Sequence, residues 1–167
     1  MRSLSLSILL LLTSFHFAVA DGKKSDLFPE RPNERITPGD ICDIATAFRY
    51  PERIAYCERD VSKQEKAEIF TTYDVELGFH TRELNRADFK IDHYIPLCMG
   101  GSNKEDNLWP QYKQIYQLTD PIEPLLCQLM AGGKLLQVKA IAIIRHVKRN
   151  PVEAPKYIRD LENQLRN

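Results

Sequence analysis

The sequence lacks several patterns that would assign it to a common class. No two of its four cysteines have the Cys-x-x-Cys spacing of a structural zinc site, which argues against a zinc finger or ribbon. It has no internal repeat, low-complexity tract or sign of a second domain. No heptad pattern or exposed apolar stripe predicts association, so we expect a monomer.

The chain also lacks an excess of positive charge. Its 23 Lys and Arg residues balance 23 Asp and Glu residues, so a nucleic-acid partner would require a local basic surface. The last 36 residues carry eight basic side chains against three acidic ones, which fits a phosphate-binding surface or simply a solvated helical face. The eight are Lys134, Lys139, Arg145, Lys148, Arg149, Lys156, Arg159 and Arg166.

No apolar run is long enough to span a bilayer, although the chain begins with a short one. Arg2, the apolar residues 8–12 and the small residues Ala18-Val19-Ala20 form the three parts of a secretory signal peptide. We therefore predict a signal peptide over residues 1–20 and export to the periplasm or the medium, with no membrane anchor after cleavage. Removing it leaves 22 basic against 23 acidic residues, a formal charge of −1.

All four cysteines lie after the predicted signal peptide. An even count in an exported chain predicts two disulfides, each worth about 3 kcal/mol. Four cysteines allow three connectivities, and we favour Cys42–Cys57 with Cys98–Cys127 because each bridge then joins a local segment. Cys98 could instead be a nucleophile paired with His93. This role is less favoured, because an even cysteine count in an exported chain favours a disulfide.

The rest of the chain reads as one domain. A polar flexible leader is expected over residues 21–35, the folded domain over 36–150, and a C-terminal helical extension over 151–167. The stretch up to Tyr56 shows no clear periodicity and is expected to be irregular, and residues 74–88 are expected to form a loop.

Several helices are predicted from their end signals. Ser62-Lys63-Gln64-Glu65 is a capping box, so a helix should run from there to about Tyr73. Asp120-Pro121 should open a helix that Gly132-Gly133 ends, Leu135–Val147 is strongly helical, and a short helix should follow Pro155. With two short strands described next, these helices predict an α+β fold.

The segment 90–111 carries the chemistry. The residues from Phe89 to Ile95 alternate as a strand does, and within them Asp92 and His93 place a hard oxygen ligand beside a base that titrates near neutrality. A glycine-rich turn follows, then a second short strand, Asn107-Leu108-Trp109, with a helix expected to begin at Pro110.

In order and spacing, this segment reads Asp-His-x-x-Pro-Leu, then Gly-Gly-Ser-Asn, then Asn-Leu-Trp-Pro-Gln. The whole run strongly resembles the HNH endonucleases, and it is most similar to the small exported bacterial HNH proteins. The close motif covers 22 residues. The resemblance implies a ββα-metal core with additional helices, and hydrolysis of nucleic acid, DNA being the expected substrate, with low sequence specificity.

Carried onto this chain, the resemblance implies three roles. His93 corresponds to the general base, Asp92 to a metal ligand, and Asn107 to the asparagine that holds the histidine loop in position. The implied cofactor is a divalent metal, with Mg²⁺ expected and Mn²⁺ an alternative.

The chain departs from the HNH pattern at the second metal ligand. No His or Asn lies between Asn107 and His146, and only the amides of Gln111, Gln114 and Gln117 stand nearby. The departure supports a second interpretation, in which the protein keeps the HNH frame but is a nucleic-acid-binding or structural protein with reduced catalysis. The other histidines, His80 and His146, are expected at the surface.

Overall fold

The computed structural model describes residues 26–166. The predicted signal peptide lies outside these residues. The predicted flexible leader is described from residue 26 onward, and this part packs against the domain. The ring of Phe28, for example, lies 4.3 Å from the ring of Tyr112, measured between centroids. Phe28 thus packs on the domain surface.

The first helix, α1, spans Lys63–Leu77 and begins with the predicted capping box. The amide of Glu65 donates to the Ser62 hydroxyl at 3.1 Å, and the Glu65 carboxylate accepts from the Ser62 amide at 2.6 Å. The helix continues past Tyr73 and ends at Gly78, whose φ of 72° suits glycine. The part of the predicted loop that follows contains two single 3₁₀ turns, Thr81–Glu83 and Arg86–Asp88.

The central strands, which we label β3 (Phe89–His93) and β4 (Leu108–Tyr112), pair antiparallel as predicted, with Ile91 opposite Pro110. The predicted helix start at Pro110 is wrong, because Pro110 lies inside β4 and helix α2 begins at Lys113 and ends at Thr119. A proline is tolerated there because the sheet has only two strands, so one edge of β4 needs no ladder hydrogen bonds. Two further 3₁₀ turns, Leu97–Met99 and Glu105–Asn107, lie in the connection between the strands.

A β-hairpin occupies part of the segment predicted to be irregular. Strands β1 (Ala47–Arg49) and β2 (Ile54–Tyr56) pair antiparallel in a sheet of their own. Each strand has only three residues, too few to show alternation in the sequence. The turn between them also places Tyr50 and Arg53 at φ values of 64° and 54°, which non-glycine residues rarely adopt.

Three helices complete the domain: α3 (Ile122–Ala131), α4 (Gln137–Arg149) and α5 (Ala154–Arg166). The first begins after Asp120-Pro121 and ends at Gly132, as predicted. The second is displaced by two residues from its predicted range, and the third has 13 residues where a short helix was expected. A 3₁₀ turn at Pro151–Glu153 leads into it.

Two apolar clusters form the core. One joins α1 to β3 and β4 and contains Tyr73 and Trp109. Both of these side chains are fully buried, so the tryptophan is a core residue. The other joins the last three helices around Leu126 and Ile144. The described residues thus combine helices with small antiparallel sheets, which confirms the α+β class.

Both predicted disulfides are present. Cys42 is bonded to Cys57 and Cys98 to Cys127, with Cα atoms 5.7 and 6.0 Å apart. Such bonds are typical of proteins in an oxidising compartment. They also remove the alternative that Cys98 is a free nucleophile. Within the described part of the chain, no helix has both the length and the apolar character needed to cross a membrane.

Candidate functional site

Strand β3 carries the two central motif residues on opposite faces. Neighbouring residues of a strand point to opposite sides of the sheet. The Asp92 carboxylate accordingly bonds to lysines on one side, whereas the His93 ring bonds to Arg59 and Asn103 on the other. The structure does not bring Asp92 and His93 to one shared centre.

The His93 ring is held at both nitrogens. Its Nε2 lies 3.0 Å from Oδ1 of Asn103, and its Nδ1 lies 3.2 Å from a guanidinium nitrogen of Arg59. Arg59 is itself fixed to the strand, because its second terminal nitrogen donates to the carbonyl oxygen of Ile91 at 2.9 Å. Only 4% of the histidine is exposed, whereas Arg59 is at the surface.

These partners determine which ring nitrogen carries the proton. The amide nitrogen of Asn103 donates to the carbonyl oxygen of Glu58 at 2.6 Å, so its Oδ1 faces the histidine and can only accept. Nε2 of His93 must then donate. The guanidinium of Arg59 can only donate, so Nδ1 of the neutral ring presents a lone pair to it.

The same surroundings keep the ring neutral. Burial is the largest cause and lowers the pKa of His93 from 6.5 to about 4. The bond to Asn103 opposes this shift, and the positive charge of Arg59 adds to it. At neutral pH the imidazole is therefore an unprotonated base with a defined lone pair.

The side chain of Asn107 fixes the loop that follows His93. Its Oδ1 accepts from the amide of Ile95 at 2.8 Å, and its Nδ2 donates to the carbonyl oxygens of Ile95 and Ser102 at 3.0 and 2.8 Å. A Cβ at Gly101 would lie 1.8 Å from the Ile95 carbonyl oxygen, so only glycine fits this turn. These bonds are the ones expected of a residue that holds the loop, although that role remains a prediction.

A second cluster forms on the Asp92 face, which we call the Asp92 cluster. The carboxylate of Asp92 lies 2.6 Å from Nζ of Lys148 and 3.1 Å from Nζ of Lys90. Lys148 is also 2.7 Å from Glu123, and Lys90 is 2.6 Å from Asp120. Three carboxylates and two ammonium groups therefore share one buried to half-buried site.

The charges of this cluster determine its ionisation. Burial acts to raise the pKa of Asp92, but Lys148 and Lys90 outweigh it and hold this pKa below its usual value. Burial raises the pKa of Glu123. Lys148, although fully buried, stays charged because Asp92 and Glu123 outweigh burial and raise its pKa. One of the eight basic residues of the C-terminal region is thus a core residue and contributes nothing to a basic surface.

The Asp92 cluster is also the one group of potential metal-binding side chains within residues 26–166. Ligand oxygens of Asp92, Asp120 and Glu123 lie within 4.8 Å of one another, and oxygen donors of this kind suit Mg²⁺. Both lysine ammonium groups, however, already bond to these carboxylates. In this arrangement the residues do not fit a metal ion.

The remaining sequence candidates are spread over the domain. Gln111 is buried and donates to the hydroxyl of Thr119 at 2.9 Å, while Gln114 and Gln117 are exposed on α2. Both outer histidines are at the surface as expected. His80 lies 3.6 Å from Glu83, and His146 lies 2.9 Å from Glu153.

Sequence reasoning missed Arg59 and Asn103 as site residues. Asn103 lies within the Gly-Gly-Ser-Asn motif, so its position was a usable signal. Arg59 stands 34 residues before His93 in a segment without a motif, and nothing in the sequence indicates their contact. The disulfide at Cys57 and a backbone bond from Cys42 to the Gly100 carbonyl at 2.8 Å bring this segment to the loop.

No family model matches the chain, no curated protein matches it, and no solved structure matches it. The HNH resemblance therefore depends on the motif in residues 90–111 alone.

Proposed function

We propose that this protein is an exported nuclease of the HNH type that hydrolyses phosphodiester bonds of nucleic acid, with His93 as the general base. DNA cut with little sequence preference is the proposed substrate. The observation that carries the proposal is a neutral, buried histidine whose lone-pair nitrogen contacts an exposed arginine. The motif around it and the short antiparallel pair β3–β4 support the same assignment.

The proposed chemistry begins with the guanidinium of Arg59. Arg59 forms no ion pair within the described part of the chain, so its charge is available to a substrate phosphate, which arginine binds with two parallel hydrogen bonds. When Arg59 turns to the phosphate, it exchanges its bonds to the Ile91 carbonyl oxygen and to Nδ1 of His93 for bonds to the phosphate, and Nδ1 loses its donor. The lone pair is then free to accept a proton from an attacking water.

In the hydrolysis step, one proton of the water passes to Nδ1, and the water oxygen forms a bond to phosphorus. The phosphorus bond to the leaving oxygen breaks, and that oxygen takes a proton from a solvent water. The ring becomes an imidazolium. Its Nε2–H already donates to Asn103, so the bond that orients the base also stabilises the charged ring. General-base assistance of this kind is typically worth about 10²- to 10⁴-fold in rate.

The direct test is cleavage of plasmid DNA and labelled RNA by the oxidised protein, in Mg²⁺ or Mn²⁺ and in EDTA. We expect cleavage by the unmodified protein and a loss of about 10²-fold or more in His93→Ala. His80→Ala and His146→Ala are the matched controls, since both rings are exposed and pair with single glutamates. Full activity of His93→Ala, or equal losses in all three variants, would contradict the base assignment.

The comparison of cleavage with and without EDTA tests separately whether the reaction requires a divalent metal. The HNH resemblance implies Mg²⁺, whereas the carboxylates that would bind it are paired with lysines. Cleavage that EDTA abolishes and Mg²⁺ restores requires ligands outside the arrangement described. Cleavage that survives EDTA supports a reaction carried by His93 and Arg59.

One observation favours a second function, a nucleic-acid-binding protein without turnover. Both nitrogens of the His93 ring are occupied by protein partners, and Asp92 is committed to Lys148 and Lys90. A gel shift with DNA, together with no cleavage in Mg²⁺, Mn²⁺, Ca²⁺ or Zn²⁺, would select this function over the nuclease.

A further inference from the structure

The β1–β2 hairpin exposes an aromatic ring. All three residues of β1 are exposed, and Phe48 at its centre has 61% of its surface accessible. A single exposed apolar side chain is common on protein surfaces, so its neighbours decide whether it can serve as a contact. The ring of Phe48 is accessible to a ligand on this hairpin.

One arginine lies beside this ring, and a second lies over the other aromatic ring of the hairpin. The guanidinium of Arg53 lies 5.5 Å from the centroid of Phe48, and that of Arg49 lies 3.2 Å from the centroid of Tyr56. Within residues 26–166 neither arginine forms an ion pair. The one acidic residue of the hairpin, Glu52, instead accepts from the amide of Gln137 at 2.6 Å. The hairpin therefore presents aromatic rings together with guanidinium groups that form no salt bridge within the described part of the chain, although Glu52 keeps its own negative charge.

The hairpin is held in place from three sides. Ile54 is 95% buried in the helical core, and Cys57, directly after β2, is bonded to Cys42. The bond from Glu52 to Gln137 attaches the turn to α4. A ring on such a support loses little conformational freedom when a ligand packs against it.

The hairpin leads directly to the candidate site. Three residues after Tyr56 the chain reaches Arg59, which contacts His93, so the Cα atoms of Tyr56 and Arg59 are separated by at most about 11 Å. A few nucleotides of an extended single strand span a distance of this order. A strand with one phosphate at Arg59 is long enough to bring a neighbouring base to the hairpin.

We propose that this hairpin is a single-strand binding platform, on which an unpaired base stacks on Phe48 while Arg53 binds an adjoining phosphate. The ligand class rests on the proposed function, and it is narrowed here to single-stranded DNA. An unpaired base offers a free face to a lone ring, whereas the bases of a duplex are already stacked. Stacking on a ring requires no particular base, which agrees with low sequence preference.

The test measures binding of a fluorescently labelled oligothymidylate to the His93→Ala protein in EDTA by anisotropy, with a duplex for comparison. We expect tighter binding of the single strand, and a dissociation constant raised about 5- to 150-fold by Phe48→Ala. Phe48→Trp should retain binding. Val75→Ala is the matched control, since Val75 is 76% exposed on α1, outside the hairpin.

Arg53→Gln provides a second, independent variant. It should weaken binding and also reduce the dependence of affinity on salt, because one phosphate contact is lost. Unchanged affinity in both Phe48→Ala and Arg53→Gln would overturn the proposal. So would binding that depends on Phe48 but is directed to anionic phosphatidylserine vesicles and not to the oligonucleotide.

The outcome is separable from that of the proposed function. Phe48-dependent binding of single strands by a wild-type protein that cleaves nothing would retain the platform and reject the nuclease. Cleavage that His93→Ala abolishes and Phe48→Ala leaves unchanged would support the nuclease and contradict the binding platform.

Discussion

The ionisation of His93 links its proposed role as a base to the stability of the domain. The folded-state pKa is about 4, below the 6.5 of an exposed imidazole. Above pH 6.5 the ring is neutral in both states and contributes no pH dependence. As the pH falls from 6.5 towards 4, only the unfolded chain gains the proton, so folding stability decreases by up to about 3 kcal/mol.

We therefore predict that His93→Gln removes part of the pH dependence of unfolding. Urea unfolding of both proteins between pH 6.5 and pH 4 should show a smaller loss of stability in the variant. His80→Gln should behave like the wild type because its ring is exposed. Parallel curves for wild type and His93→Gln would show that His93 titrates normally in the folded protein.

Asn103 is predicted to act by positioning His93. Asn103→Ala should lower kcat by about 10-fold or more while KM changes little, since the residue orients the base. Asn103→Asp keeps an acceptor at Nε2 but adds negative charge, which should raise the pKa of His93 and move the acid limb of the pH–rate profile upward. Asn163→Asp on α5 should leave the profile unchanged, and an unmoved limb in Asn103→Asp would contradict the assigned contact.

Gly101 is predicted to be indispensable for steric reasons. A Cβ there would lie 1.8 Å from a backbone oxygen, so Gly101→Ala should lower the free energy of unfolding by about 1–3 kcal/mol or more. Gly132→Ala is the control, because its Cβ would meet its nearest neighbour at an ordinary 3.6 Å and its φ is −80°. Thermal unfolding of the two variants should differ clearly, and equal melting temperatures would contradict the close approach of Gly101 to the Ile95 carbonyl.

At the scale of elements, Lys148 joins α4 to β3. It is fully buried, bonds to Asp92 and Glu123, and donates to the carbonyl oxygen of His93. Removing one partner from a buried ion pair leaves the other without compensation. The helix and the strand are therefore held together by charge as well as by apolar packing.

Lys148→Met should accordingly lower the free energy of unfolding by about 3–5 kcal/mol. It should also leave Asp92 and Glu123 without their shared cation, so added Mg²⁺ or Ca²⁺ should raise the melting temperature of this variant and not of the wild type. Lys139→Met, exposed on the same helix, is the control. A metal-induced stabilisation of the wild type would mean that the carboxylates already accept an ion.

Elements with local end signals were the predictable ones. The capping box at Ser62 and the glycine at Gly132 fixed a start and an end because the relevant bonds join residues close in sequence. The position of Pro110 could not be predicted because its tolerance depends on an unpaired edge of the sheet, which is a tertiary property. The β1–β2 hairpin was missed because its short strands depend on Ile54 being buried by distant helices.

At the scale of the whole molecule, the site is assembled from separate segments. The motif identified His93 and Asn107, and the bonds of Asn107 to Ile95 and Ser102 and of His93 to Asn103 join residues within the motif. Strand alternation explains why Asp92 faces elsewhere. Arg59 and Lys148 come from 34 residues before and 55 residues after His93. Contacts over such separations depend on packing, which the sequence of the motif does not contain.

The two disulfides are predicted to contribute differently to this assembly. Both Cys42→Ser/Cys57→Ser and Cys98→Ser/Cys127→Ser should lose about 3 kcal/mol of stability, since they open loops of 15 and 29 residues. Cleavage below the melting temperature should fall more in the first pair, because Arg59 follows Cys57 closely. Equal losses of activity in the two double variants, compared at the same folded fraction, would contradict this difference between the two disulfides.

The order of the four cysteines also has a consequence for biosynthesis. Each of them pairs with its neighbour along the chain, so neither bridge encloses or crosses the other. If the polypeptide enters an oxidising compartment amino-terminus first, Cys57 follows its partner Cys42 directly. That first disulfide can close before Cys98 and Cys127 arrive. Correct oxidation can then keep pace with translocation, without the exchange reactions that rearrange a wrongly formed bridge.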